Sequence, residues 1–191
     1  GNDNKNFSNY LNTINKQIKD IEYLINEFSD FARMPKPILK KINLNQLISR
    51  TINLNELSEP KIKFSLSTKK STNYIKADEE QLNRVFINLI KNSIESIHEK
   101  INKKADFKGK INIDINNYSD YIYVTIIDNG VGFGHIDKKK MVTPYYTTKQ
   151  KGTGLGLAVV SKIISDHNST ILFNSIDGGA KVEINIPNIL K

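Results

Sequence analysis

Cysteine is absent from the chain, which excludes disulfide staples and thiolate metal sites and fits a reducing compartment. Long apolar runs are missing too. No stretch approaches the ~20 consecutive apolar residues a membrane-spanning helix needs, and no secretory signal opens the sequence, so this polypeptide is expected to be soluble. Hydrophobic residues make up only 38% of the 191, yet they recur in patterned runs, so a packed core is expected rather than disorder. Acidic charge is in deficit: 28 Lys and Arg against 20 Asp and Glu leave a net +8. Such a surplus can mark nucleic-acid binding, but here it is mostly lysine spread along the chain, and aromatics do not interleave with it as a base-stacking surface requires. No nucleic-acid partner is expected, while a small polyanionic ligand remains compatible with the charge.

What is present begins with periodicity. Phe7, Leu11, Ile14, Ile18, Ile21, Ile25, Phe28 and Ala32 alternate four and three apart, an a/d seam over several heptads. Tyr10, Leu24 and Phe31 widen it into the stripe of a four-helix bundle. The helix is expected to be roughly 40 Å long, and Pro35 and Pro37 stop it. A long amphipathic helix without a partner in its own sequence implies pairing with another chain. A boundary therefore falls near 36/37, with residues 1–36 as a helical element and 37–191 as a globular domain.

Beyond it the pattern is mixed. Residues 45–57 read as a helix with Leu47, Ile48, Ile52 and Leu54 as candidate core. Ile62, Phe64 and Leu66 alternate as a strand, and 74–77 is a second extended run. Asp78 and Gln81 form a capping-box-like start to a helix burying Leu82, Val85, Phe86, Leu89, Ile90, Ile94 and Ile97. Strands are expected at 111–115, 122–127, 171–173 and 182–186, a hairpin turn at 117–120, a long mobile loop at 134–153 and a helix at 155–165. Strands clustered with helices on one face predict an α+β fold, a two-layer α/β sandwich preceded by one long bundle helix.

Three constellations carry chemistry. Asn88 and Asn92 stand four apart on a helix, so both carboxamides share a face while Leu89 and Ile90 turn inward. A carboxamide oxygen is a hard neutral ligand suited to Mg²⁺ that keeps waters and shares phosphate oxygens, although a solvent-facing helix edge would look the same. Asp128-Asn129-Gly130-Val131-Gly132 ends a strand, where a carboxylate can accept from an adenine amino group and glycines let a planar base approach; an ordinary turn shares this chemistry. Gly152-Thr153-Gly154-Leu155-Gly156-Leu157 leads into a helix, a cradle of amides for phosphate oxygens. The dinucleotide fingerprint and the P-loop are excluded: no strand precedes these glycines and no lysine followed by Ser or Thr comes after them.

In this order and spacing the pieces resemble the N, G1 and G2 boxes of the GHKL superfamily, shared by histidine kinases, ninety-kilodalton heat-shock chaperones, gyrase and MutL. Thr143-Pro144-Tyr145-Tyr146-Thr147-Thr148-Lys149 resembles the F box in the nucleotide lid of histidine kinases. Phe28-Ser29-Asp30-Phe31-Ala32-Arg33-Met34-Pro35 is similar to the end of the second dimerisation helix of nitrogen-regulation sensor kinases of the NtrY and NtrB type. The resemblance implies ATP and Mg²⁺ as ligands. Asp128 would bind adenine with Gly130 and Gly132 shaping that pocket, Asn92 would coordinate the metal with Asn88 in support, and Lys149 with Gly152, Thr153, Gly154, Leu155 and Gly156 would face the phosphates. It also implies phosphoryl transfer to a histidine on a preceding helix, a homodimer through the helix bundle, a response-regulator partner, a cytoplasmic location for this piece and membrane anchoring only through upstream segments. His98, His135 and His167 read as surface or lid residues rather than the phosphoacceptor. Two positions depart from common patterns: Glu95 replaces a basic residue near the phosphates, and Ala180 replaces a hydroxyl residue near the last strand. A GHKL ATPase or serine kinase is the alternative, disfavoured because Asn88 cannot act as the general base that a glutamate there supplies.

Overall fold

The structure, a computed structural model, describes residues 2–134, 137–147 and 152–188. Helix α1 (Asn2–Ala32) is followed by β1 (Lys40–Asn43), α2 (Leu44–Glu56), β2 (Ile62–Thr68), β3 (Tyr74–Ala77), α3 (Glu79–Lys103), β4 (Gly109–Asn117), β5 (Tyr121–Asp128), α4 (Lys138–Met141), α5 (Gly156–Asp166), β6 (Thr170–Ile176) and β7 (Gly179–Pro187). Five strands form one sheet in the order β2-β4-β5-β7-β6, with β2 and β4 parallel and the remaining neighbours antiparallel. β1 and β3 form a separate antiparallel pair. α3 packs against α2, α5 and β4, giving the expected two-layer α/β sandwich.

The core follows from strand parity and helix period. Ile111, Ile113 and Ile115 on β4, Ile122, Val124 and Ile126 on β5, and Val182, Ile184 and Ile186 on β7 all face inward and are buried. Against them α3 sets Leu82, Val85, Phe86, Leu89, Ile90, Ile94 and Ile97, all buried as their spacing predicts. Each such side chain stabilises the fold by roughly 1.5–3 kcal/mol relative to exposure. On α2, Leu47, Ile48 and Ile52 join this core, but Leu54 is 73% exposed, because it lies off the stripe that they define.

Helix starts are set by side-chain caps. Asn43 accepts from the amides of Asn45 and Gln46 at the start of α2. Asp78 accepts from the Gln81 amide at the start of α3, and its other oxygen accepts from Ile38 N at 2.8 Å. The box is only half formed: Gln81 Nε2 donates to Pro35 O, while Asp78 N donates to His167 Nε2 at 3.0 Å. His167 is therefore a correction. It is buried, its Nδ1 lies 2.8 Å from Ile163 O, and it ties the end of α5 to the start of α3 rather than facing solvent. His98 is exposed and paired with Glu59, whereas His135 lies outside the described residues.

β1 is an element that sequence periodicity does not reveal, being four residues long and defined by its pairing with β3. The segment expected as one long loop carries α4, whose Met141 reaches the core. Along α1 the predicted seam is exposed from Phe7 to Phe28. Among the described residues the end of the helix and the segment after it meet the sandwich: Phe31 and Met34 pack on the core, and Glu27 lies 3.7 Å from Arg84. Among the described residues no helix is long and apolar enough to cross a membrane.

Candidate functional site

Asp128 continues the inward-facing series Ile122, Val124, Ile126, so the parity that builds the core also delivers a carboxylate to its edge. It is 5% exposed. Its Oδ1 accepts from Gly130 N at 2.9 Å, and the Ser93 hydroxyl and the Ala180 amide also meet the carboxylate. Burial pushes the carboxyl above the usual carboxylate range, although these three donors and the Lys100 charge all pull it down. A carboxylate kept under such tension is poised for one more donor from a ligand.

The G1 glycines have distinct steric reasons. A Cβ on Gly130 would lie 2.7 Å from the Ser96 carbonyl carbon and 2.8 Å from Ile97 N, so only glycine lets this turn rest on α3. Gly132 has φ +73° and would meet Gly179 O at 2.6 Å. Gly130 thus acts from behind Asp128, against α3, while Gly132 packs on the Gly179 main chain.

A cavity of about 900 Å³ opens beside Asp128 and is lined by Asn88, Asn92, Gly132, Gly152, Thr153, Gly154 and Gly156 among others. At its far end α5 begins with no side-chain cap on its first amides, the arrangement that receives an anion at a helix N-terminus. Gly156 lies against Asn88: an added Cβ would stand 3.0 Å from Asn88 Oδ1, while Asn88 Nδ2 is committed to Arg84 O at 2.9 Å. Gly154 has φ +67° and its O accepts from Tyr145 N at 3.1 Å, which joins the F-box segment to the glycine turn. Thr153 Oγ1 accepts from Leu155 N at 3.2 Å, and Leu155 is fully buried, shaping the turn from beneath. Lys149 and Thr148 lie outside the described residues. Glu95 lines the cleft, and Ala180 is buried opposite Asp128 in the β5–β7 register.

Sequence reasoning missed several contributors. Ser93 falls in the apolar register of α3, four residues after Leu89, and a lone hydroxyl there was a readable signal. Ser96, whose Oγ is buried without a hydrogen-bond partner, lines the cleft next to Gly130. Tyr146 and Glu27 also reach the cleft, and the Phe28 and Tyr145 rings stand 6.2 Å apart, so the end of α1 meets the segment that carries Tyr145. No sequence spacing announces those contacts. Among the described residues, no group of three or more His, Cys, Asp or Glu could hold a metal by itself.

A sandwich whose cleft runs from a strand-end carboxylate to an uncapped helix N-terminus offers acceptor chemistry at one end and anion-binding chemistry at the other. Residues 77–189 match the family described as histidine kinase-, DNA gyrase B- and HSP90-like ATPase. The chain belongs to that family. It is 32% identical over 177 residues to nitrogen regulation protein NtrY of Azorhizobium caulinodans, covering 93% of this chain and 23% of that protein. With an NtrY-like sensor histidine kinase of Rickettsia bellii it shares 35% over 179 residues, 93% of this chain and 28% of the relative. The chain thus spans about a quarter of the length of these curated relatives. Among solved structures, the catalytic domain of histidine kinase ThkA superposes with TM-score 0.69 at 29% identity over 78% of this chain and 95% of that one. ThkA in complex with response regulator TrrA gives TM-score 0.74 at 25% identity over 94% of this chain and 50% of that one.

Proposed function

We propose that this chain is the catalytic part of a two-component sensor kinase, binding Mg-ATP and directing the γ-phosphoryl group to a histidine imidazole on a helix outside this chain, for relay to a response-regulator aspartate. The observation that carries the reading is the cleft itself, with base-recognition chemistry at Asp128 and anion-recognition chemistry at α5, and two carboxamides between them. The residues fit the ligand. Asp128 accepts from the adenine amino group, Gly132 leaves room for the ring, and the amides from Gly152 to Gly156 with Thr153 receive phosphate oxygens. Asn92 supplies one hard oxygen to Mg²⁺, whose other ligands are phosphate and water, in keeping with the lack, among the described residues, of three or more His, Cys, Asp or Glu grouped to hold a metal. Asn88 braces the start of α5 and Lys149 adds positive charge near the phosphates. Bound nucleotide and metal supply the transferable group and its charge neutralisation; the protein contributes positioning and the exclusion of water. Asn88 offers no general base for water, which supports transfer to a neutral imidazole over hydrolysis or serine phosphorylation.

Residues 1–36 act as the second helix of a dimerisation hairpin and 37–191 as the catalytic domain. The exposed apolar row of α1 supports a homodimer through a four-helix bundle. The ThkA–TrrA complex supports a response regulator as the downstream partner. In the intact protein, upstream segments carry the membrane anchor, and this part works on the cytoplasmic side.

The test is incubation with Mg-ATP and a separately made helical hairpin carrying the phosphoacceptor histidine. Acid-labile phosphate on the hairpin is expected. Release of free phosphate with no phosphohairpin would instead establish an ATPase, and acid-stable phosphate on a hydroxyl would establish a serine kinase.

A further inference from the structure

Lys100 lies in the last turn of α3, outside every motif that the sequence displays. Its Nζ donates to three main-chain carbonyls: Asn129 O at 2.8 Å, Gly130 O at 3.1 Å and Gly178 O at 2.9 Å. An ammonium has three N–H donors and no acceptor, so these bonds saturate it. The Phe107 ring covers the same ammonium, 4.8 Å from its centroid. The three oxygens come from two different turns. Asn129 and Gly130 belong to the turn that follows Asp128, and Gly178 belongs to the β6–β7 turn.

Those turns touch main chain to main chain. A Cβ on Gly179 would collide with the Asp128 carbonyl and stand 3.0 Å from Asn129 Cα, and one on Gly132 would meet Gly179 O. Side chains therefore do not interlock there, and three carbonyl dipoles point at one spot. Without a cation they would repel one another and lose their partners. We infer that Lys100 is a positioning residue for base recognition, its ammonium clamping the Asp128 turn to the β6–β7 turn so that the carboxylate and the Gly132 wall are set before a purine arrives. The inference rests on the adenine pocket proposed above and adds a residue to it. Among the described residues the hydrogen bonds of Lys100 Nζ go to these turns, and its charge acts on Asp128, so its effect falls on the base end of the cleft and on ligands that carry a base.

The experiment compares wild type and Lys100→Ala by calorimetry with Mg-ATP and with Mg-tripolyphosphate. The variant is expected to bind ATP about tenfold or more weakly, the scale of lost charge-assisted bonds, and tripolyphosphate as wild type does. Propylammonium, which replaces the missing stem and head group, is expected to restore ATP affinity at an ionic strength where tetramethylammonium, with no N–H, does not. Unchanged ATP binding, an equal loss for tripolyphosphate, or equal effects of the two amines would each overturn the inference. Lys100→Gln keeps the first half of the stem and an amide donor without the charge, and serves if the alanine variant does not fold. A base-confined partial loss supports the clamp; wild-type ATP affinity refutes it. Wild-type protein that binds tripolyphosphate but not ATP would overturn the pocket reading itself, a failure separate from that of Lys100.

Discussion

Replacing Asp128 by Asn changes one atom's chemistry with almost no change of shape. The carboxylate meets three protein donors, Gly130 N, the Ser93 hydroxyl and Ala180 N, and the adenine amino group would be a fourth. Two carboxylate oxygens offer about four acceptor sites, and a carboxamide oxygen only two. The Ser93 hydroxyl can turn to accept from the new NH₂, but the three N–H donors cannot, so at least one of them must lose its partner in the variant. A ligand donor left unmatched in a buried pocket costs about 1–3 kcal/mol, or roughly 5- to 150-fold in Kd. Calorimetry should show this loss for Mg-ATP and none for Mg-tripolyphosphate. The pH dependence has a definite sign. Because burial raises the Asp128 pKa, the folded state retains a proton that the unfolded chain releases, so stability from this group is full below the ordinary carboxylate pKa and is lost as pH rises through the raised value. On acidification, wild type should gain stability relative to Asp128→Asn while its ATP affinity falls, since the protonated carboxyl has less acceptor capacity. Stability curves that stay parallel from pH 7 into the acid range, or equal losses for both ligands, would refute the assignment.

Asn92→Ala should weaken ATP binding with Mg²⁺ more than without it; equal losses in a paired titration would argue against a metal ligand there. Gly154→Ala forces a Cβ to 2.5 Å from the Tyr145 carbonyl carbon at φ +67°, a strain of roughly 1–3 kcal/mol. It should lower triphosphate affinity by unseating the Tyr145 segment from the glycine turn, read by tripolyphosphate titration. Asp78→Ala removes the α3 cap and the bond from Ile38, so denaturant unfolding should show a loss of about 1–2 kcal/mol. Burial pulls the Asp78 carboxyl upward, but the Ile38, Gln81 and Glu80 amides and His167 together hold it below its usual value. Its contribution is therefore present at neutral pH and lost as pH falls through that lowered pKa, so the gap between wild type and variant should narrow in acid.

The residue pattern by itself determined the layer architecture and the position of the three boxes. Periods of 2 and 3.6 are local properties, and a core of alternating isoleucines against a helix stripe can satisfy them in few ways. It also singled out Asp128, Asn88, Asn92 and the glycine turns, which the structure brings to one cleft; the three polar residues stood out by side-chain chemistry, and the glycines by the backbone conformations and close approaches they allow. Leu54 and His167 went the other way. A hydrophobic residue one step off the stripe faces water, and a histidine at a helix end is buried when a distant amide, here Asp78 N, needs an acceptor. Only the tertiary structure decided that Lys100 serves the Asp128 turn, that Gly130 rests on α3, and that Phe28 meets Tyr145. Each of these joins segments far apart in sequence, and such contacts leave no spacing to read: they exist once the sheet and helices have packed and the free donors and acceptors left at their edges find one another.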